Sequence, residues 1–389
     1  MTIRAEEVSL GASATGRGGA RAEWYDLPAV DIDPDIRRAE MPPSALYTDP
    51  AWYARMRERI FARTWHMFPA HLEPLEPGAL QPWNLLPGCL DEPLLLTRDD
   101  AGPHLISNVC THRGAILVER PGQAQGLRCG YHGRRFALDG RFGSAPSFAE
   151  AEGFPRPCDD LARVPLDRWE RFWFASLDPA HRFDDLVAPV RERLAHLPWD
   201  RLVLAPDRCR DYHVAASWAL YCDNYLEGLH IPFVHPGLDP VLDREGYQTQ
   251  LLPLGVLQLG VAASDEQPCL SAPPDHPDHG RPIAAYYYWL YPCTMLNVYP
   301  WGLSINVVIP LGPERTRVVF LGYTWDPAAA EAGAGADLDH VEHEDERILQ
   351  SVARGARARL LPRGRYSPSH EQGVHHFHRL LARSLNDEG

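Results

Sequence analysis

Residues 110–133 of the chain read CTHRGAILVERPGQAQGLRCGYHG, and this stretch decides the fold. Each end of it carries one Cys and one His: Cys110 precedes His112 by two positions, and Cys129 precedes His132 by three. Two thiolates and two imidazoles form a complete set of four metal ligands. In a chain of this length so tight a pattern indicates a metal site rather than a disulfide framework.

Two kinds of metal site use two Cys and two His. Structural zinc sites bind one ion tetrahedrally and commonly pair Cys with Cys and His with His. A Rieske 2Fe-2S cluster has two Cys on one iron and two His on the other. Here each loop supplies one Cys and one His, and Gly114, Gly130 and Gly133 let the backbone turn close to the ligands. The spacing favours the cluster, with a zinc site as the alternative.

Composition and charge limit the other classes of function. The 389 residues carry a formal net charge of -14, which disfavours a nucleic-acid-binding surface. The sequence shows no apolar run of the length that spans a bilayer, and its N-terminal residues lack the apolar core of a signal peptide. We therefore expect a cytoplasmic protein that binds neither nucleic acid nor a membrane.

The pattern of apolar and polar residues predicts an α+β chain. Residues 1–23 are rich in Gly, Ala and Arg and are expected to be disordered. A helix is predicted from Asp49, which can cap it, with Pro50 in its first position. Between about 66 and 165, short segments with frequent Pro and Gly predict a small β domain. A short helix over 191–202, long strands between 255 and 325 and two closing helices are predicted after it.

A second motif, DNYLEGLHIPFVHP, occupies residues 223–236. Glu227 precedes His230 by three positions, so both lie on one face of a helical turn. His235 follows His230 by five positions, beyond Pro232, which distorts a helix. Two His held close on a bent segment can occupy neighbouring positions on one metal ion, as in Fe(II) sites built from two His and one carboxylate. Core or surface histidines are the alternative.

The two loops and the second motif together resemble the Rieske non-haem iron ring-hydroxylating oxygenases, specifically their α (terminal oxygenase) subunits. CTHRG and CGYHG are similar to the two cluster loops of that family. Arg134 stands where the family usually has Trp, and Gly130 stands where Pro is common. The resemblance implies a 2Fe-2S cluster on four ligands: Cys110, His112, Cys129 and His132.

The same resemblance implies a mononuclear non-haem Fe(II) bound by His230 and His235. By the family pattern Glu227 is not an iron ligand. It corresponds to the acid that bridges the first iron-binding His to a cluster His of a neighbouring subunit, where it couples the two metal centres. Asn224 belongs to the same motif and is assigned to the catalytic site with it.

The third iron ligand is assigned to the segment VEHEDERILQSVARG at 341–355, which resembles the family's C-terminal helix. Matching the Arg-Gly pair at 354–355 places Asp345 at the iron carboxylate. A solvated acidic helix face is the alternative for such a charge run, and His343 is expected to be exposed. The rival carboxylates are Glu342, Glu344 and Glu346.

The resemblance implies the domain organisation and the assembly. An N-terminal arm, partly disordered, covers 1–44, a β-rich Rieske domain with a preceding helix covers 45–165, and a catalytic domain covers 166–389. The catalytic domain is expected to have an antiparallel sheet around a helix, the helix-grip or START-like fold. A homotrimer is implied, with electrons arriving from a reductase, directly or through a ferredoxin, so that NAD(P)H acts only indirectly.

The implied function is that of a terminal oxygenase that uses O2 to hydroxylate a small organic substrate by mono- or dioxygenation. The motif is most similar to the branch with α subunits alone, which includes choline and carnitine monooxygenases and enzymes of aromatic acids. Two other classes remain open: a Rieske electron-transfer protein without mononuclear iron, and a zinc-stapled ligand-binding module. Six aromatic residues are either a cage for a quaternary ammonium or, as strand propensity favours, part of the sheet: Tyr286, Tyr287, Tyr288, Trp289, Tyr291 and Trp301.

Overall fold

The computed structural model describes residues 26–72, 75–235, 243, 246–264, 266–329 and 338–386. The segment 1–23, for which the sequence predicts disorder, lies outside them. Among the described helices, none combines the length and the apolar character needed to cross a membrane. The described helices are α1 (Ala45–Thr48), α2 (Pro50–Met56), α3 (Phe183–Arg193), α4 (Trp218–Tyr225), α5 (Ile231–Val234), α6 (Leu338–Gly355) and α7 (Gln372–Asn386).

Three small antiparallel sheets occupy the first half of the chain. Their strands are β1 (His66–Met67), β2 (Ala79–Leu85), β3 (Glu92–Asp99), β4 (Gly102–Ser107), β5 (Gly122–Gln123), β6 (Leu127–Arg128), β7 (Arg135–Phe136), β8 (Phe142–Ser144), β9 (Leu166–Trp169) and β10 (Phe172–Ala175). The strand orders are β1-β10-β9, β4-β3-β2-β5 and β6-β7-β8. The first Cys/His loop therefore follows β4, and the second is the turn between β6 and β7.

A single eight-stranded antiparallel sheet dominates the second half. Its strands are β11 (Val203–Leu204), β12 (Arg210–Val214), β13 (Gln248–Leu252), β14 (Gly255–Val261), β15 (Ile283–Leu290), β16 (Thr294–Tyr299), β17 (Gly302–Gly312) and β18 (Arg315–Thr324). The order is β11-β18-β17-β16-β15-β14-β13, and β12 also pairs with β18. Helix α7 packs on β13 and β14, and α4 lies between β17, α6 and α7. This is the predicted α+β arrangement of a sheet around a helix.

Two of the apolar clusters of the molecule form its main cores, a larger one and a smaller one. The smaller one is formed by the sheets that carry the Cys/His loops and includes Leu95, Ile106 and Phe136. The larger one spans the eight-stranded sheet and also takes in the segment that follows α2, where Phe61 packs on Trp218 with ring centroids 5.0 Å apart. The predicted domain boundaries at 45 and 165 remain predictions.

The two ends of the described chain meet in the larger core. Trp218 also packs on Phe377 of α7, with ring centroids 5.7 Å apart. Asn386 at the end of α7 exchanges two hydrogen bonds with the backbone of Val30, at 2.9 and 2.7 Å. The larger core is therefore closed by residues from both ends of the sequence.

Two of the helices predicted from the sequence had different outcomes. Helix α2 begins at Pro50 as predicted, and the Asp49 carboxylate accepts from the N–H of Ala51 at 2.8 Å. The helix predicted over 191–202 is wrong: α3 starts earlier and ends at Arg193, and only a 3-10 turn, Trp199–Arg201, follows. A helix through 202 is disfavoured by Pro198, which lacks the N–H that would donate to the carbonyl oxygen of Leu194.

Candidate active site and metal centres

The two Cys/His loops have the same backbone shape. In each loop the N–H of the Cys donates to the carbonyl oxygen five residues later at 2.8 Å. The glycine four residues after the Cys donates back to the Cys carbonyl at 3.0 Å. These glycines, Gly114 and Gly133, have φ angles of +74° and +73°, which other residues adopt only with strain. Cys110 and Cys129 are thus presented by two matching turns.

The four candidate cluster ligands converge at the tips of these turns. Cys110 and Cys129 are buried and their thiols contact each other. The rings of His112 and His132 lie outside them, with centroids 4.7 Å apart. The N–H of Tyr131 donates to Cys129 Sγ at 3.4 Å, a contact that suits a thiolate ligand. Buried sulfurs and outer imidazoles fit a 2Fe-2S cluster with one Cys-bound and one His-bound iron.

The spread of the donor atoms distinguishes the two metal centres. Within the part of the chain that the structure describes, His230, His235 and Asp345 are the group of three donors whose ligand atoms all lie within 4.8 Å of one another. The Cys and His donors of the two loops do not form such a group. A single tetrahedral zinc ion needs its donors close together, so the wider set suits a cluster better.

The structure brings the three predicted iron ligands together. His230 lies just before α5, His235 just after it, and Asp345 on α6. Nε2 of His235 is 3.1 Å from Oδ1 of Asp345, and Nε2 of His230 is 3.8 Å from the same oxygen. Two imidazoles and one carboxylate that converge in this way match the donor set of non-haem Fe(II) oxygenases.

Each of the two imidazoles is oriented by a carboxylate on its other nitrogen. Nδ1 of His230 donates to Oε1 of Glu227 at 2.6 Å, and Nδ1 of His235 donates to Oε2 of Glu344 at 2.8 Å. Because Nδ1 then carries the proton, the lone pair of each Nε2 is free for a metal ion. Glu344, a rival ligand by sequence, therefore contacts the far side of His235 and lies away from the Asp345 oxygen.

The remaining predicted residues of the site lie on α4 and α6. Asn224 donates its Nδ2 to Oδ1 of Asp345 at 2.6 Å. Glu342, another rival, is buried and accepts a hydrogen bond from the Tyr221 hydroxyl at 2.9 Å. His343 is exposed, as expected. The charged side chains of α6 therefore point in two directions: some face the site and others face the solvent.

Burial controls the ionisation of the acidic side of this site. Burial first, and then the charge of Asp345, raise the pKa of Glu342 to about 8, although the hydrogen bond from Tyr221 opposes the rise. At His235 burial disfavours the charged ring, but the hydrogen bonds to Asp345 and Glu344 outweigh it and raise the pKa. The site is thus rich in carboxylates that lack water, an environment that stabilises a bound cation.

Two neighbours of the metal centres were not given a role from the sequence. Tyr221 lies three residues before Asn224, and this spacing places both on one face of α4. That spacing would have indicated Tyr221. Arg134, noted only as a departure from the family pattern, is buried beside the second cluster loop. No pattern in the sequence signals its burial.

The six aromatic residues considered as a cage separate into two groups. Tyr286, Tyr288, Trp289 and Tyr291 belong to the larger core. The hydroxyl of Tyr286 donates to Asp278 at 2.9 Å, for example. Three of the four lie in β15, as strand propensity favours, and Tyr291 directly follows it. Tyr287 and Trp301 belong instead to a third apolar cluster.

That third cluster adjoins the iron site. Tyr287 meets Tyr299 edge to face at 6.0 Å between ring centroids. Tyr247 and Ile231 pack on the cluster, and the Tyr247 ring lies so close to Gly228 that a Cβ there would be 3.3 Å from it. Burial raises the pKa of Tyr247, Tyr287 and Tyr299 far above neutrality. The phenols are therefore neutral rings next to the motif that carries His230.

Comparison with known proteins gives a consistent result across the chain. Residues 85–155 match the family model of the Rieske [2Fe-2S] domain, and residues 203–387 match that of the ring hydroxylating alpha subunit (catalytic domain). The chloroplastic choline monooxygenase of Arabidopsis thaliana is 30% identical over 379 residues, which cover 92% of this chain and 86% of that protein. The carnitine monooxygenase oxygenase subunit of Escherichia coli (strain K12) is 28% identical, with coverages of 89% and 94%.

Solved structures share the fold. The quaternary ammonium Rieske monooxygenase CntA in complex with L-carnitine superposes with a TM-score of 0.71 at 23% identity, covering 91% of this chain and 97% of that chain. Naphthalene 1,2-dioxygenase from Rhodococcus sp. superposes with a TM-score of 0.68 at 18% identity, covering 90% and 95%. At this level of identity the likeness concerns the fold alone.

These matches decide between the classes that the sequence left open. The Rieske match excludes a zinc-stapled module and implies a 2Fe-2S cluster. The catalytic-domain match excludes a simple electron carrier and implies a mononuclear iron. The donor sets of the two centres fit these groups. The chain belongs to the Rieske non-haem iron oxygenases, as an α subunit related to the choline and carnitine monooxygenases.

Proposed function

We propose that this oxygenase hydroxylates a small quaternary ammonium compound by monooxygenation. The observation that carries the site assignment is the pair of imidazoles, each held at Nδ1 by a carboxylate and each directing Nε2 toward Asp345. We assign the mononuclear iron to His230, His235 and Asp345. The 2Fe-2S cluster is assigned to Cys110, His112, Cys129 and His132.

Each neighbouring residue then has a defined task. Glu344 fixes the ring of His235, and Asn224 orients the carboxylate of Asp345 through its amide. Glu227 accepts the Nδ1 proton of His230 and is the bridge through which electrons reach the iron. When bound, the cluster supplies single electrons and the mononuclear iron activates O2.

The substrate class is supported by the tyrosines beside the motif. Tyr299 is buried, Tyr247 and Tyr287 are partly buried, and all three rings are neutral and belong to one cluster. Faces of such rings attract a quaternary ammonium, which has no proton to donate and is recognised by cation–π contact. Trp301 contributes less, because one of its faces is already covered by the Arg208 guanidinium at 4.6 Å. Relatives named for choline and carnitine point to the same class.

A homotrimer is supported by exposed apolar residues at both metal centres. Tyr131 is 60% exposed and its ring lies on His132, with centroids 3.6 Å apart. Phe233, between the two iron-binding histidines, is 83% exposed. Large exposed aromatics mark surfaces that meet a partner. A CntA structure has been described as revealing inter-subunit electron transfer in that enzyme, and we propose the same route here.

Rieske oxygenases receive their electrons from a reductase, in some systems through a ferredoxin. For this chain we propose a separate reductase that oxidises NAD(P)H, with a ferredoxin as the optional carrier, and a cytoplasmic location for the system. Cell fractionation and size-exclusion chromatography with light scattering test the location and the trimer. A monomer that still turns over would contradict the inter-subunit route.

Product analysis tests the substrate class most directly. The iron-loaded protein is reduced and given O2 with choline, carnitine, or naphthalene. We expect an oxidised quaternary ammonium product with one oxygen atom from labelled O2, and none from naphthalene. A ring-hydroxylated product from naphthalene, with no reaction of choline or carnitine, would overturn the proposal.

A neutral analogue sharpens this experiment. 3,3-Dimethyl-1-butanol has the shape of choline without its charge, so the ratio of kcat/KM for the two measures cation recognition. Tyr247→Leu should lower kcat/KM for choline by at least about fivefold and leave the analogue little changed. Tyr286→Phe, which alters a core tyrosine outside the cluster, is the matched control. An equal loss for both compounds would show that Tyr247 contributes packing and no recognition of the charge.

A further inference from the structure

Arg134 directly follows the second cluster loop and is buried although it is charged. Its side chain is 4% exposed, and Asp159, its ion-pair partner at 3.3 Å, is 6% exposed. Nη1 of Arg134 also donates to Oγ1 of Thr111 at 2.8 Å. Removing such a pair from water is costly, and a buried pair is weak evidence for stability. The position of this pair therefore points to a role beside the cluster.

Arg134 joins the two loops that hold the cluster ligands. Its carbonyl oxygen accepts the N–H of Cys129, which closes the second loop at 2.8 Å. Its guanidinium reaches Thr111, which lies between Cys110 and His112 in the first loop. One residue thus contacts both loops, through its backbone on one side and its side chain on the other.

Three phenylalanines surround the guanidinium. The carbon at its centre is 5.4, 5.2 and 5.1 Å from the ring centroids of Phe142, Phe148 and Phe154. Phe148 also packs edge to face on His112, with centroids 5.3 Å apart. Rings in this arrangement keep water away from the cation and lower the effective dielectric constant around it. The charge therefore acts on the cluster site with little screening.

The positive charge is only partly neutralised. Asp159 also accepts from the backbone N–H of Arg156 at 2.8 Å and from its Nε at 3.4 Å. Two arginines therefore share one carboxylate, and the group as a whole keeps a positive charge. Nε of Arg134 has no hydrogen-bond partner among the described residues.

We propose that Arg134 is a positioning residue that ties the two cluster loops together and raises the reduction potential of the cluster through its buried positive charge. A cluster bound by two thiolates and two neutral imidazoles takes up one electron from the reductase and gains one negative charge, with no bond made or broken. A nearby cation stabilises that reduced form. The electron is thereby held more firmly on the cluster.

The test is a potentiometric titration of the cluster absorbance in the full-length protein. Arg134→Gln should lower the ratio of reduced to oxidised cluster at a fixed potential about tenfold, which is ~59 mV for a one-electron couple. Arg134→Lys keeps the charge and should retain most of the potential, although it loses the planar contacts with the rings. Asp159→Asn removes the opposing charge and should shift the ratio in the other direction.

If Arg134→Gln and Asp159→Asn shift the reduction potential in opposite directions, the effect is electrostatic. A pair with only a structural role would shift the potential in the same direction when either partner is changed. Arg141→Gln is the matched control, since Arg141 pairs with Asp139 at 2.6 Å in the same domain but is largely exposed. It should leave the potential unchanged. Iron and sulfide are measured on every sample.

Two results would overturn the proposal. One is an unchanged potential in Arg134→Gln with a complete cluster. The other is a shift of the same sign in Arg134→Gln and Asp159→Asn. If Arg134→Gln assembles no cluster, the decision passes to Arg134→Lys and Asp159→Asn: equal potentials in these two would contradict the electrostatic role.

Discussion

The cluster site and the iron site differ in how their ligands are drawn from the sequence. The four proposed cluster ligands lie within residues 110–133, on two turns of the same shape. The iron site joins His235 to Asp345, 110 positions away, across α5 and α6. The spacing of residues in the sequence indicates a site that is built from neighbouring turns. A site that joins distant residues is harder to predict, because its ligands depend on how two helices are rotated toward each other.

The two sites also differ in the charge that surrounds them. A buried arginine with three aromatic rings lies beside the cluster. Around His230 and His235, the histidines that we assign to the iron, the neighbours are the carboxyl groups of Glu227, Glu344 and Asp345. A cation favours the centre that gains an electron, and anions favour a bound metal cation. The comparison therefore predicts that the two centres can be lost or altered separately.

Loss of the carboxylate ligand is the strongest test of that separation. Asp345→Ala should remove the mononuclear iron and lower turnover at least about 100-fold, while the cluster spectrum and its two irons and two sulfides remain. Iron and sulfide analysis with the visible spectrum measures this. Glu346→Ala, one position along the same helix, is the control and should keep all three irons. Loss of the cluster together with the iron would show that the centres are coupled structurally.

The acidic surroundings of the iron site predict an unusual pH dependence in chelator-treated protein. The pKa of Glu342 is raised to about 8 from 4.5, so the unfolded chain releases this proton first. The contribution of Glu342 to the free energy of unfolding should therefore be fully present below about pH 4.5 and be lost as the pH rises from there to about 8, by on the order of 5 kcal/mol. Asp345, Glu346 and His235 face the same carboxyl and set the size of the effect.

Denaturant titrations at several pH values measure this dependence. Glu342→Gln keeps the hydrogen bond with Tyr221 and has no proton to lose, so its curve should be flatter over the same range. Bound iron should also flatten the curve, because a cation favours the ionised carboxyl. A wild-type protein whose stability is constant from pH 5 to 8 would contradict the predicted ionisation.

Glu227→Gln tests the link between the two centres. It keeps the size of the side chain and removes its charge. We expect unchanged iron content and cluster potential, but a 10–100-fold slower oxidation of the reduced cluster when substrate and O2 are added. Stopped-flow absorbance in a single turnover measures the rate. An unchanged rate would make Glu227 a bystander, and loss of iron would make it a ligand.

The smallest expected effect concerns Asn224. Replacing it with Ala removes one hydrogen bond to Asp345, which corresponds to ~1 kcal/mol, or about fivefold weaker iron binding. Competition with a chelator measures the affinity. Asn297→Ala, which alters an amide of the sheet that does not contact Asp345, is the matched control. A loss as large as that of Asp345→Ala would place Asn224 among the ligands.

The same difference between local and distant residues explains how much of the two sites could be predicted from the sequence. The spacing of the Cys and His residues in 110–133 favoured a cluster but left a zinc site open, and the spacing of His230 and His235 suggested a metal pair but left ordinary histidines open. The family resemblance was needed to propose both ligand sets, and it was needed most for Asp345, because four acidic residues compete on one helix. That Glu344 holds the far nitrogen of His235 could not be foreseen, because adjacent carboxylates differ only in where the helix turns them.

The environment of Arg134 shows a second limit. Phe142 begins β8, whereas Phe148 and Phe154 lie in the irregular segment after it, and their side chains converge only in the folded domain. The helix predicted over 191–202 is interrupted for a local reason, because Pro198 lacks an N–H. Side-chain convergence needs the fold, whereas the interruption at Pro198 could have been predicted from the sequence.

The meeting of the two ends of the described chain in the larger core has a consequence for biosynthesis. Phe61 is synthesised well before its neighbours Trp218 and Phe377, and Asn386 follows later still. The smaller core draws on residues 80–161 alone, so its partners are complete while the ribosome is still extending the chain. This core can therefore form during translation, whereas the larger core cannot close before α7 has been synthesised.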